Sequence, residues 1–240
     1  MNIKEALTSS IRRVFLDLTG VDDYYIFWTS SDNKLKLTSY VIAHKTSTLS
    51  TVEVNPLYLP DNNFVIRDPA RLLKLLAISN ENLSISLGAT NSNKLILNDG
   101  VFDSEFVLCD SSTIGVRPPV IDEPLSYEIQ IDINDEFYNR YISAKSANNT
   151  EIVSVEVKDR KIKLELGDNN NYSNKIKFFV ETDGMFNMEK LLFSSDVIEE
   201  ILKRNKGTQG KIYVCDQGLM KIEYIDSLKS TYFLVALDKL

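Results

Sequence analysis

Two periods of apolar residues run along this chain, and the switches between them divide it into elements. Apolar positions recur at three and four residues in only four short stretches, the mark of a helix with one buried side. The first covers about Asn2 to Leu18, with Ile3, Leu7, Ile11, Val14, Phe15 and Leu18 in register. The second opens at Asp68-Pro69, an N-cap residue followed by proline at the first helical position, and continues through Arg71-Leu72-Leu73-Lys74-Leu75-Leu76. The third opens at Asn134-Asp135-Glu136 and runs to about Ala147. The fourth opens at Ser194-Ser195-Asp196 and stops near Gly207, with Lys203, Arg204 and Lys206 in its last turn.

The remainder alternates or is β-branched, and predicts strands. In the first half these are Tyr24–Thr29, Lys34–Ala43, Ser50–Val54, Leu83–Leu87, Lys94–Leu97 and Glu105–Cys109. In the second they are Tyr127–Ile131, Glu151–Val157, Lys161–Leu166, Lys175–Val180, Lys211–Cys215, Leu219–Tyr224 and Thr231–Leu237. Turn residues separate them at Asn98-Asp99-Gly100, Lys158-Asp159-Arg160, Gly167-Asp168-Asn169 and Asp183-Gly184. A helix followed by three strands occurs once in each half at comparable spacing, and each half carries an earlier helix followed by strands. The order predicts an internal duplication, in an α+β fold of two similar domains with two helices packed on antiparallel sheet in each. Asp110–Pro124, with Gly115, Pro118, Pro119 and Pro124, reads as an extended connector. The expected division is 1–110, a connector at 111–125, and 126–240.

Composition narrows the class. The 240 residues are 43% hydrophobic and 25% charged, as in ordinary globular proteins. No apolar run approaches the roughly 20 residues that span a bilayer, and the opening Met1-Asn2-Ile3-Lys4-Glu5 lacks a secretory pattern. Cys109 and Cys215 are too few for a disulfide framework. The expectation is a soluble intracellular protein without a membrane partner.

Catalytic signatures are missing. The chain holds one histidine, His44, in a polar stretch, and no HExxH, P-loop, GxGxxG or GxSxG pattern. Both cysteines end predicted strands, where a small buried hydrophobe is the simpler role. Asp132-Ile133-Asn134-Asp135-Glu136 lacks the glycine and distal glutamate of a calcium loop and suits a helix N-terminus. No enzyme, cofactor or metal is expected.

Charge then changes the picture through its distribution. The 34 acidic and 27 basic residues give a net charge of −7, which argues against coating nucleic acid by bulk attraction. The cations of the helices are placed differently. Arg71 and Lys74 share the side of the second helix opposite Leu72, Leu73 and Leu76. Arg12 and Arg13 flank the solvent side of the first, and Lys203 lies opposite Val197, Ile198 and Ile201 in the fourth, with Arg204 at its edge. Arg140 and Lys145 form no clean row in the third. Helices lining one side of a curved sheet would pool these charges into a surface that holds DNA by its phosphates, without reading sequence.

This organisation resembles the sliding clamps of the T-even bacteriophage type, the processivity factors of replicative DNA polymerases. The resemblance spans nearly the whole chain. Its carriers are Pro69-Ala70-Arg71-Leu72-Leu73-Lys74-Leu75-Leu76 followed by Leu83-Ser84-Ile85-Ser86-Leu87, the proline-rich connector after Cys109, the run Ile152 to Ile162, and the closing stretch from Lys206-Gly207 through Tyr232-Phe233-Leu234-Val235-Ala236-Leu237. It implies a ring of three identical subunits joined head to tail, helices lining the hole and sheets forming the wall. It implies double-stranded DNA, a DNA polymerase and a clamp loader as partners, assistance to late transcription in some relatives, and the cytoplasm of an infected bacterial host as location. Carried over residue by residue, the DNA-facing role falls on Arg12, Arg13, Arg71, Lys74, Lys145, Lys203 and Arg204. The apolar partner-peptide pocket falls on Ile114, Val116, Val120 and Ile121 of the connector and on Tyr232, Phe233 and Leu234 of the last strand, although core or linker packing is the simpler role for each taken singly. Asn55–Asn63 and the tip around Asn169 are longer than the family pattern. A structural viral β-rich assembly protein without DNA binding would share the acidity and the strands, but not four helices at repeated places; a monomeric processivity factor would carry a more basic surface.

Overall fold

The computed structural model describes residues 2–18, 24–43, 46–55, 57, 62–88, 93–115, 117–124, 126–167, 174–181 and 186–237. His44, Val116 and the turns at Asp168-Asn169 and Asp183-Gly184 lie outside them.

Each helix begins where its sequence supplies a cap. Helix α1 (Ile3–Val14) starts with a capping box: the Asn2 side chain accepts from the Glu5 N–H at 2.8 Å, and the Glu5 carboxylate accepts from the Asn2 N–H at 3.1 Å. It stops four residues before Leu18, where the apolar period runs on. There the buried Tyr24 hydroxyl takes over, accepting from the Leu16 N–H at 2.8 Å and donating to the Val14 carbonyl at 3.1 Å. Leu16 and Leu18 are still buried, but as extended chain. Helix α2 (Pro69–Ile78) is capped by Asp68, α3 (Asp135–Asn148) by Asn134, and α4 (Ser195–Arg204) by Ser194. The acidic cluster is thus the start of α3, with Asp135 and Glu136 in its first turn.

Between α1 and α2 lie β1 (Ile26–Ser31), β2 (Lys34–Ala43), β3 (Thr46–Val54) and β4 (Asn62–Ile66); after α2 come β5 (Ser84–Leu87), β6 (Lys94–Asn98) and β7 (Asp103–Val107). The second half has β8 (Ile129–Ile133) before α3, then β9 (Ile152–Lys158), β10 (Lys161–Leu166), β11 (Ile176–Glu181) and β12 (Met188–Ser194). After α4 follow β13 (Gly210–Val214), β14 (Leu219–Ile225) and β15 (Lys229–Val235). Two strands escape the sequence pattern. The start of β4 is polar, and β12 carries a register shift between Met188 and Leu191 that breaks its alternation.

The pairing reveals the repeat. One sheet runs β4-β1-β2-β3-β15-β14-β13-β8, another β11-β10-β9-β12, and a third β5-β6-β7. The order β4-β1-β2-β3 is that of β12-β9-β10-β11, and β13-β14-β15 is that of β5-β6-β7. In the large sheet the two halves meet where β3 pairs β15, from Glu53↔Lys229 to Thr48↔Leu234. Alternate residues of that sheet, among them Leu35, Leu37, Val52, Ile222, Tyr232 and Leu234, face the core with at most 1% exposure. The helices lie side by side in the order α2-α1-α4-α3, with α1 packed on β2 and β3 beside the junction, α3 on β8 and β10, and α4 on β9. Leu7, Ile11 and Val14 of α1 are fully buried there, each contributing about 1.5–3 kcal/mol. No helix of the described residues is long and apolar enough to cross a membrane.

Candidate nucleic-acid interface

The helix layer presents one continuous surface, and its cations stand on it in three different states. Arg12, Arg71 and Lys74 are exposed, on sides opposite the buried Leu7 and Ile11 of α1 and Leu72 and Leu76 of α2. Among the described residues they have no ion-pair partner.

Lys203 and Arg204 reach the same layer but are spoken for. Lys203 pairs with Glu199 at 2.9 Å and Arg204 with Glu200 at 2.6 Å, both one helical turn earlier. The Glu199 hydrogen bond raises the Lys203 ammonium above its ordinary value. Arg140 on α3 is likewise held by Glu136 at 2.6 Å.

Arg13 and Lys145 point inward. Arg13 forks onto Asp226 at 2.7 and 3.0 Å and touches Thr208 and Ser230 at 3.3 Å, leaving its side chain 12% exposed. Lys145 is 6% exposed, with its ammonium on the Thr150 carbonyl and 2.6 Å from Asp196 in the first turn of α4. Periodicity could not separate Arg12 from Arg13, because the partners of Arg13 lie more than 190 residues away. Lys145 was invisible for the same reason: a lysine at the last turn of α3 reads as a solvated cation until α4 is placed beside it.

The opposite face of the large sheet carries the connector. After β7, Cys109 bridges to Val65 of β4, and Asp110 caps a short 3-10 turn at Ser111–Thr113. Arg117 and Pro118 then help enclose an open cavity of about 490 Å³ with Phe27, Thr38 and Phe64. Further on, Glu123 takes the Lys221 ammonium at 3.0 Å, and that ammonium lies 5.9 and 5.8 Å from the centres of the Tyr127 and Tyr213 rings. The connector is thereby pinned at both ends across the sheet.

Strand alternation splits the expected pocket residues. Tyr232 and Leu234 fill the helix side; the Tyr232 hydroxyl donates to the Arg13 carbonyl at 3.1 Å and accepts from the Asn205 amide at 2.9 Å. Phe233 turns to the connector side. It lies in a row across five strands, Tyr40–Leu49–Phe233–Lys221–Tyr213, with Leu49 and Phe233 each 8% exposed. Ile114 and Ile121 are half-buried, and Val120 is 89% exposed. Leu49 carries no sequence signal of its own, because β3 begins with the polar run Thr46-Ser47-Thr48, which hides its alternation, and Tyr40 meets it only through the β2–β3 register. Among the described residues no group of three or more His, Cys, Asp or Glu gathers as a metal site would require.

No family model matches the sequence, and no curated protein does. Solved structures are similar over nearly its full length. A. fulgidus PCNA bound to the C-terminal region of FEN-1 gives a TM-score of 0.70 at 16% identity, covering 98% of this chain and 96% of that one. The PCNA2–PCNA3 complex from Sulfolobus tokodaii gives 0.66 at 13%, covering 98% and 97%. A DNA polymerase sliding clamp from Pseudomonas aeruginosa, solved with a ligand, gives 0.73 at 12%; 98% of this chain is covered, and it spans 63% of that one. At such identities the likeness is one of fold. The chain has the sliding-clamp fold, four helices on antiparallel sheets.

Proposed function

We propose that this chain is one subunit of a ring-shaped sliding clamp that encircles duplex DNA and tethers a DNA polymerase, without catalytic chemistry of its own. The observation that carries the reading is the junction between the halves. There β3, the third strand after α1, pairs with β15, the third strand after α4. Their counterparts are β11 and β7, and each is the edge of its own sheet. Pairing β7 of one copy with β11 of the next repeats the internal junction between chains and closes these two edges. The side chains support it. At the internal junction Leu49 and Phe233 oppose each other and are covered, whereas Phe179 on β11 and Val107 on β7 stand 61% and 67% exposed.

In this reading the two units are 1–110 and 126–240 joined by 111–125, and three T-even-type subunits complete the ring. Helices face the hole, and Arg12, Arg71 and Lys74 contact phosphates, with Lys203 and Arg204 as cations muted by their glutamates. Such contacts hold DNA without sequence preference, and threading raises the local concentration of tethered polymerase. A clamp loader opens the ring, and partner peptides enter beside the connector over Tyr40, Leu49 and Phe233.

Sedimentation of the purified chain tests the assembly. A species with the mass of three chains, reduced to folded monomer by Val107→Asp, is expected. A wild-type chain that stays monomeric at every concentration overturns the ring.

A further inference from the structure

The repeat also leaves β5 paired on one side among the described residues where its counterpart is paired on both, and joining copies through β7 and β11 does not account for that. In the second half β13 has neighbours on both sides, β14 and β8. Its counterpart β5 pairs with β6 alone among the described residues. The consequence is visible in burial. Ile212 and Val214 of β13 are 1% and 0% exposed, while Ile85 and Leu87, at the matching positions opposite Leu97 and Leu95, are only half-buried. What covers the β13 pair is β8, which sets Ile131 against Ile212 and Ile129 against Val214, with Ile133 opposite Gly210. All three isoleucines are at most 3% exposed.

The backbone of β5 is prepared for the same partner. The Gly88 N–H donates to the Lys94 carbonyl at 2.9 Å, which fixes the phase of the ladder with β6. Alternate residues pair in an antiparallel ladder, so Ser86 and Ser84 bond to β6, and Ile85 and Leu87 direct their N–H and C=O groups to the open side. In β13 the Cys215 N–H donates to Leu219, so Ile212 and Val214 are the residues that turn to β8. Phase, spacing and apolar face therefore agree between the two edges.

We infer that the free edge of β5 is a strand-addition site for an extended segment of a partner protein. The segment pairs antiparallel and carries branched apolar residues at three alternate positions, the pattern of Ile129, Ile131 and Ile133. In a second copy of this chain the strand with this pattern, β8, is already paired with β13 and has its three isoleucines buried. Main-chain hydrogen bonds supply the affinity, and the half-buried Ile85 and Leu87 supply the selectivity. The inference rests on the internal repeat and stands whether or not the chain closes into rings.

The test uses the intact chain and a synthetic peptide of residues Tyr127 to Asn134 as probe. Saturable binding is expected, with hydrogen exchange slowed at the Ile85 and Leu87 amides. A peptide carrying Ile129→Asp, Ile131→Asp and Ile133→Asp is expected to bind at least about tenfold more weakly, as is one N-methylated at the amides that face β5. The N-methylated probe leaves the protein untouched, so its loss of binding does not depend on any variant folding. Absence of binding overturns the inference. Protection falling on β7, β11 or β13 instead of β5 overturns it equally, as does protection of β5 by self-association without peptide.

Discussion

Arg12 and Arg13 are adjacent in sequence and stand in different surroundings, so two alanine substitutions separate a ligand contact from a structural one. Arg13 is 12% exposed and shares two hydrogen bonds with Asp226, whose side chain is 33% exposed. An exposed pair contributes about 0–1 kcal/mol and severing a buried one costs about 3–5, so this partly buried fork is placed at about 2 kcal/mol. For a chain of 240 residues unfolding as one unit, that lowers the melting temperature by roughly 4–8 °C. Arg12→Ala removes no partner among the described residues and shifts stability by less than about 0.5 kcal/mol. It should instead flatten the logarithmic salt dependence of DNA affinity by about 1, because one fewer phosphate is neutralised. The pH dependence adds a second signature. Partial burial pushes the Asp226 carboxyl up, yet the Arg13 guanidinium and the Leu228 N–H outweigh it and hold it below the usual range. A carboxyl depressed by folding stabilises above its unfolded value of about 3.9 and loses that contribution as pH falls through the folded value. The Arg13→Ala deficit should therefore be full at pH 7 and close in the acid range. Calorimetric melting across pH and DNA titrations across salt measure both. A wild-type melting curve for Arg13→Ala, together with a flattened salt dependence, would refute the assignment of Arg13 to Asp226.

The other helix cations give sharper contrasts. Glu199→Gln releases Lys203 from its 2.9 Å partner and should steepen the salt dependence of DNA binding by about 1; an unchanged slope removes Lys203 from the interface. Lys145→Met leaves Asp196 and the Thr150 carbonyl without their buried cation and should cost about 3–5 kcal/mol in denaturant unfolding while leaving the salt slope of the folded protein unchanged.

The sequence reveals the fold wherever local chemistry decides it. Asn2, Asp68, Asn134 and Ser194 cap the four helices that their positions announce, and the Lys161–Leu166 strand keeps its bounds because its alternation is unbroken. It misleads where tertiary partners replace local ones. The apolar period past Val14 belongs to buried extended chain tied by Tyr24. The first residues of β3 are buried hydroxyls, with Thr46 donating to the Val235 carbonyl, so polarity hides a core strand. The candidate interface is legible to a lesser degree for a related reason. A helical wheel shows which cations leave the core, as for Arg71 and Lys74, but not which ones a distant acid then claims, as for Arg13 and Lys145.

A ring holds DNA by threading rather than by attraction, so its grip depends on whether the DNA has ends. The protein is threaded onto linear duplex, the duplex is closed into a circle by ligation, and the complex is passed through a high-salt column. A threaded ring co-elutes with the closed circle and is released once a single cut makes it linear. Dissociation from the intact circle in high salt, or retention after the cut, contradicts it.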